Sequence, residues 1–233
     1  MEAIVLVGGL GKRLRSEVSD LPKAMAPING RPFLEYQMGY LKNQGITRVI
    51  MAVGYKKEHI QQHFQNEYQH IEIVYAEEHE PLGTGGAIVN ALPLVKNNRF
   101  FILNGDTVFN ISLDKLIEKH RDLNADLTMA LRKIEDTTRY GSVEIDHSGR
   151  IKGFLEKGEA QGKGLINGGI YFANRSLIEN CSENERFSFE KEVLEQNYKT
   201  QKFYGVPFDD YFLDIGIPED YKRAQHEFRE LGY

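Results

Sequence analysis

Residues 3–7 read Ala-Ile-Val-Leu-Val, and the chain then changes character at once. The next eight residues, Gly8 to Arg15, hold three glycines and the cations Lys12, Arg13 and Arg15. An apolar run without alternation suits a strand covered on both faces, as in a parallel sheet between helices. Parallel neighbours require long crossovers, so this strand commits much of the chain to βαβ units. Glycines at its end let backbone N–H groups approach an anion, and a following helix adds its positive dipole end. The segment therefore points to phosphate at the carboxyl edge of a parallel sheet.

Two common loops of that kind do not fit. A phosphate-binding GxxxxGK[ST] loop needs glycine five residues before Gly11, where Leu6 stands, and Ser or Thr where Arg13 stands. A GxGxxG fingerprint starting at Gly9 needs its third glycine at Leu14.

The rest of the chain keeps the βα rhythm. Strands are expected at 48–53, 71–76, 100–106 and 125–131. Helices are expected from Pro32 to about Lys42 with Gly45 as the stop, around 56–66, and from a cap at Ser112. His120 falls on the apolar side of the last of these, as a packed or solvated residue rather than a ligand. Beyond residue 131 the pattern turns mixed. A hairpin over 142–157, strands at 165–174, 202–208 and 211–216, and helices near 187–198 and 218–231 follow. The fold class is α/β: a doubly wound, mostly parallel, Rossmann-like mixed sheet flanked by helices. One domain of 1–233 is expected, with a nucleotide-binding part to about 131 and a sugar-phosphate-binding part after it.

Composition removes other classes. A net charge of -5 gives no general attraction to nucleic acid, so the N-terminal cations act locally. The single cysteine, Cys181, excludes a disulfide framework and a cysteine-based metal site. No apolar run reaches the ~18 residues of a membrane span, and the start does not read as a signal peptide. A cytoplasmic protein is expected.

Five clusters fall at strand ends or in loops. After Gly8–Arg15 comes Lys23, held between Pro22 and Pro27, which stiffen its loop. "EPLGTGGAI" (80–88) is a glycine-rich helix entry. "ILNGDTVF" (102–109) ends an apolar strand in Asp106, placed to offer oxygen to a hard divalent cation. "FLDIGIPEDY" (212–221) interrupts an apolar strand with Asp214, which is costly unless that carboxylate is bonded or metal-bound.

In this order the clusters resemble the sugar-1-phosphate nucleotidyltransferases over nearly the whole chain. "SDLPKAMAPINGRPFLEY", "EPLGTGGAI", "LINGGIY", "FSFE" and "FDDYFLDIGIPEDY" look most like the bacterial D-glycero-D-manno-heptose 1-phosphate guanylyltransferases. The resemblance implies joining of a nucleoside triphosphate, GTP in the first instance, to a sugar 1-phosphate with release of pyrophosphate. The context implied is precursor synthesis for capsule, lipopolysaccharide or S-layer glycan. Partners are then small molecules, with no nucleic acid and no membrane; a homo-oligomer is compatible.

The roles implied are specific. Arg13, Lys23 and Asp106 are catalytic, and Asp106 and Asp214 hold Mg²⁺. Leu6, Gly8, Gly9, Gly11, Lys12, Glu78, Gly83 and Thr84 line the nucleotide, with Glu78 offered to guanine. Gly141, Glu156, Lys157 and Asn167 form the sugar-phosphate pocket. Two positions depart from the family pattern: Lys12 replaces its usual Thr, and Ala24 replaces a common Pro, which is expected to loosen the loop around Lys23. Two alternatives follow: a uridylyl-, cytidylyl- or thymidylyltransferase on the same fold, and a catalytically silent nucleotide-binding regulatory subunit.

Overall fold

A computed structural model of the chain describes residues 1–233 except 10, 12, 13, 15, 16, 19, 139, 140, 157, 160, 161, 182–185 and 230–233. The opening apolar run forms β1 (Glu2–Leu6), with a parallel neighbour on each side. Its alternate side chains enter different cores: Ala3 and Val5 one layer, Ile4 the other. That double burial is why the run shows no polar alternation.

A short hairpin, β2 (Pro27–Ile28) and β3 (Arg31–Pro32), leads into α1 (Phe33–Asn43). Gly45, at φ +74, follows the helix where a left-handed residue stops it. Then come β4 (Arg48–Val53), α2 (Lys57–Phe64), β5 (Glu67–Tyr68), β6 (Ile71–Glu77), α3 (Gly83–Ala91) and β7 (Arg99–Asn104). β8 (Thr107–Phe109), α4 (Leu113–Asp122), β9 (Leu127–Ile134), β10 (Ser142–Ile145) and β11 (Ile151–Leu155) follow. The chain continues through β12 (Gly164–Asn174), α5 (Arg175–Glu179), and a π-helical stretch, Phe189–Leu194, that runs into α6 (Glu195–Asn197). It closes with β13 (Phe203–Phe208), β14 (Phe212–Asp214) and α7 (Pro218–Glu227).

The main sheet runs β11-β10-β12-β7-β1-β4-β6-β5, with β9 also on β12 and β13 beside β9. Strands β7, β1, β4 and β6 are mutually parallel. The added half joins through β12, which runs antiparallel to β7. This is the doubly wound α/β class expected from the sequence, with the mixed part appended to its parallel centre. A third core packs the loop after β1 against the C-terminal helix: Leu14, Ala26, Ile28 and Phe33 meet Leu213, Tyr221, Ala224 and Phe228.

Three local expectations change. The strand expected over 100–106 ends at Asn104, because Gly105 turns the chain into β8. The strand expected over 211–216 is three residues long and, among the described residues, pairs only with β8. Ser112 stands at the cap position of α4, but its side chain makes no capping bond; Gln44 Oε1 accepts from Leu113 N instead, at 2.9 Å.

Candidate active site

The turn after β7 is held from three directions. Gly105 N donates to Leu6 O at 2.9 Å, and a Cβ on Gly105 would lie 2.5 Å from that same oxygen. Only glycine fits so close to the end of β1. Gln37, buried on the apolar face of α1, donates from Nε2 to Asn104 O (2.8 Å) and Thr107 O (3.1 Å). From the other side, β14 pairs antiparallel with β8 so that Asp214 faces Thr107, and Ile215 N donates to Asp106 O at 3.0 Å. Two carboxylates far apart in sequence are thereby brought to one end of a two-stranded ribbon.

Lys23 lies between them. Its Nζ is 2.5 Å from Asp106 Oδ2 and 3.3 Å from Asp214 Oδ1. Asp214 Oδ1 also accepts from Gly216 N at 2.6 Å. Burial pushes the Asp214 carboxyl above its ordinary value, and the charge of Asp106 pushes the same way, against the pull of Lys23. One cation shared by two carboxylates leaves a net negative charge, so a further cation is electrostatically welcome. Lys23 itself sits in a single 3₁₀ turn closed by Met25 N to Pro22 O (2.8 Å) and Ala26 N to Lys23 O (3.0 Å). Ala24 is buried in that turn. Gly11, at φ +55, presses on the Lys23 stem; a Cβ there would sit 3.0 Å from Lys23 Cβ.

On one side of this cluster lies a cavity of about 320 Å³ lined by Leu6, Gly8, Gly9, Glu78, Gly83, Thr84, Asn104, Asp106 and Arg186 among others. Six of the residues expected at the nucleotide are thus brought together: Leu6, Gly8, Gly9, Glu78, Gly83 and Thr84. Gly11 stands apart from the lining, against Lys23. Glu78 is packed against Gly8, where a Cβ would come within 2.8 Å of its Oε1, and its Oε2 accepts from Leu82 N at 3.1 Å. Burial raises its carboxyl pKa, opposed by that N–H. Lys12 and Arg13 lie outside the described residues.

On the other side lies a cavity of about 290 Å³ that contains Gly141, Glu156 and Asn167 in its wall, with Glu190, Glu195 and Asp214. Asn104 and Thr107 complete the edge nearest the ribbon. The wall depends on a break in β12, whose register shifts between Asn167 and Tyr171. Gly168 and Gly169 occupy the break, pressed against the Phe109 ring and the Asn104 side chain, and Asn167 Oδ1 accepts from Gly169 N at 2.9 Å. Asn167 Nδ2 donates to Tyr171 Oη at 2.6 Å. Burial raises the Glu195 carboxyl, as does the charge of Glu156. Glu156 is exposed, with Lys191 Nζ 3.4 Å away. Lys157 lies outside the described residues.

The two cavities share Asn104; Asp106 lines one and Asp214 the other, and Lys23 bonds both aspartates. Sequence reasoning gave no role to Gln37, Asn104, Arg186, Glu190 or Glu195. Gln37 carries a legible signal, an amide in an apolar helix stripe. Asn104 directly precedes the Gly-Asp pair. Glu190 stands in the quoted "FSFE" without a role of its own.

Residues 2–230 match the nucleotidyl transferase family. A D-glycero-alpha-D-manno-heptose 1-phosphate guanylyltransferase of Aneurinibacillus thermoaerophilus is 51% identical over 229 residues, covering 98% of this chain and 99% of that protein. The protein of the same description from Campylobacter jejuni is 50% identical, over 95% and 97% of the two chains. Among solved structures, HddC of Yersinia pseudotuberculosis complexed with GMP-PN superposes with a TM-score of 0.86 at 39% identity, over 97% of this chain and 99% of that one.

Proposed function

The chain belongs to the nucleotidyl transferase family, and from that premise we propose that it joins GTP to D-glycero-α-D-manno-heptose 1-phosphate, releasing pyrophosphate and GDP-heptose. The observation that carries this reading is a pair of adjoining cavities, one lined by Asp106 and the other by Asp214, with Lys23 bonded to both carboxylates. Near-full-length identity of about half to two heptose 1-phosphate guanylyltransferases supports the choice of substrates.

A phosphate oxygen of the sugar 1-phosphate attacks the α-phosphorus of GTP, and the bond to the β-phosphate oxygen breaks. The nucleophile is already anionic, so no general base is needed. The protein has to bring two polyanions together and neutralise charge at the reacting phosphorus. Lys23 is placed for that: its Nζ already bonds both carboxylates. Arg13 stabilises the departing pyrophosphate in this reading, and Gly8 and Gly9 admit the phosphates to the backbone. Glu78 offers its carboxylate to the paired N1–H and N2–H₂ donors of guanine, an edge that uracil, cytosine, thymine and adenine do not present. Glu156 accepts from sugar hydroxyls and Asn167 hydrogen-bonds them, with Lys157 toward the sugar's phosphate.

Asp106 and Asp214 fit a Mg²⁺ ion. They offer hard oxygen ligands at a position where a cation, the lysine ammonium, already sits. Two carboxylates completed by phosphates and waters are the usual protein share for this ion. When bound it neutralises phosphate charge and orients the triphosphate.

Among the described residues no helix is long and apolar enough to cross a membrane. A place in the cytoplasm, supplying GDP-heptose for capsule, lipopolysaccharide or S-layer glycan, is the corresponding cellular reading. Pyrophosphate release from a matrix of four nucleoside triphosphates against several sugar 1-phosphates tests it. GTP with the heptose 1-phosphate is expected to lead by roughly tenfold or more. Preference for a pyrimidine triphosphate contradicts the guanylyl assignment, and silence with every pair contradicts the enzyme.

A further inference from the structure

The helix entry that lines the nucleotide cavity is stitched to the wall of the sugar cavity. Phe187 N donates to Leu82 O and Gly85 N to Phe187 O, both at 3.0 Å. The fit admits no side chain at Gly83 or Gly85: a Cβ would lie 2.4 Å from Phe187 O in one case and 2.1 Å from its ring in the other. At the centre of this seam is Thr84. Its hydroxyl accepts from Phe189 N at 2.8 Å and donates to Glu190 Oε2 at 2.7 Å. Ser188 Oγ donates to the same oxygen at 2.9 Å.

Glu190 Oε2 is therefore fully engaged, while among the described residues no hydrogen-bond donor meets Oε1. Glu190 lines the sugar cavity, and its charge acts on Tyr171, the partner of Asn167. We propose that Thr84 is a positioning residue for the sugar-phosphate subsite: its hydroxyl locks the Glu190 carboxylate so that the free oxygen receives a sugar hydroxyl. Thr84 lines the nucleotide cavity but spends its hydroxyl on the other one. The two substrate sites are thus coupled through a single side chain pair, and a nucleotide that orders the Gly83–Gly86 entry also orders the sugar wall.

This rests on the reading of the second cavity as a sugar 1-phosphate site, not on which sugar it takes. The test is a kinetic series with whichever sugar 1-phosphate the wild-type enzyme turns over, so a failed heptose assignment and a failed Thr84 role give different results. Thr84→Val, which keeps the shape and loses the hydroxyl, should raise the sugar-phosphate KM about tenfold, the scale of one hydrogen bond to a charged group. The sugar-phosphate KM should rise several-fold more than the GTP KM, because both bonds of the hydroxyl go to the wall of the sugar cavity. Thr84→Ser should restore the sugar KM, which separates loss of the hydroxyl from loss of folding. Thr84→Val combined with Glu190→Gln should be no worse than Glu190→Gln alone, since both act through one carboxylate. A rise in GTP KM instead, no rescue by Ser, or independent effects in the double variant overturns the proposal.

Discussion

The two ends of the central sheet carry similar charged groups in opposite states of completion. At the amino end, Glu2 and Arg48 are both buried. Arg48 Nη1 donates to Glu2 Oε2 and Leu94 O, each at 2.8 Å, and its Nε donates to Glu72 at 3.0 Å. Glu2 Oε1 accepts from the backbone of Lys96 and Asn97. Each carboxylate oxygen of Glu2 has a donor, and the cluster ties the starts of β1, β4 and β6 together. At the carboxyl end, Lys23 is shared by two aspartates and the cluster remains anionic. A completed cluster fixes strands; an incomplete one is a place for something else to bind.

Removing a charge should therefore do opposite things at the two ends. The largest effect is expected at Asp106→Asn, which should lower turnover roughly 10³-fold, the several kcal/mol that a metal clamp supplies. Near-normal turnover at saturating Mg²⁺ would remove the metal assignment. At the amino end, Glu2→Gln leaves Arg48 short of a buried partner and should cost about 3 kcal/mol of stability. For a chain of this size that lowers the unfolding temperature by roughly 10 °C. Turnover per folded molecule should be unchanged; a drop in kcat would show that the two ends are not separable.

Glu78, the proposed reader of the base, gives a smaller effect. Glu78→Gln should reduce the preference for GTP over UTP and CTP by roughly tenfold, the value of one lost bond to a charged group. An unchanged preference would mean that Glu78 does not select the base. The smallest effect concerns His120, buried between Thr128 Oγ1 and Asn174 Oδ1, each 3.1 Å from a ring nitrogen. Burial lowers its pKa below the ordinary value. The unfolded chain then binds the proton more readily, so stability falls as pH drops below about 6.5, with a slope of at most about 1.4 kcal/mol per pH unit. Urea unfolding at pH 7.5 and 5.5 should show this loss in the wild type and a flatter dependence in His120→Gln.

The sequence shows the parallel centre clearly because burial on both faces removes alternation, as in β1 and β4. It marks Asp106, which ends an apolar run, and Asp214, which interrupts one, as candidate ligands. What it hides is the ribbon that unites them. β8 and β14 have three residues each, too short for any periodicity, and their pairing spans about half the chain. The partners of Glu190 and Gln37 are hidden for a related reason: Gln37 shows as an amide in an apolar helix stripe, but the distant backbone and hydroxyl groups that the two residues meet are encoded in no local pattern. Gly168 and Gly169 read in sequence as part of one strand, yet they mark the shift in register beside the cavity proposed for the sugar phosphate.

Asp214 is where stability and function are set against each other most directly. Its charge is disfavoured by burial and by Asp106, and its bond from Gly216 N can be kept by an amide oxygen. The decisive measurement is Asp214→Asn, with unfolding temperature and pyrophosphate release read on the same preparation without and with Mg²⁺. We expect turnover to collapse while the unfolding temperature without Mg²⁺ stays level or rises. Turnover near wild type, or a loss of turnover matched by a lower unfolding temperature, would contradict the account of this cluster as an anionic site held open for substrate and metal.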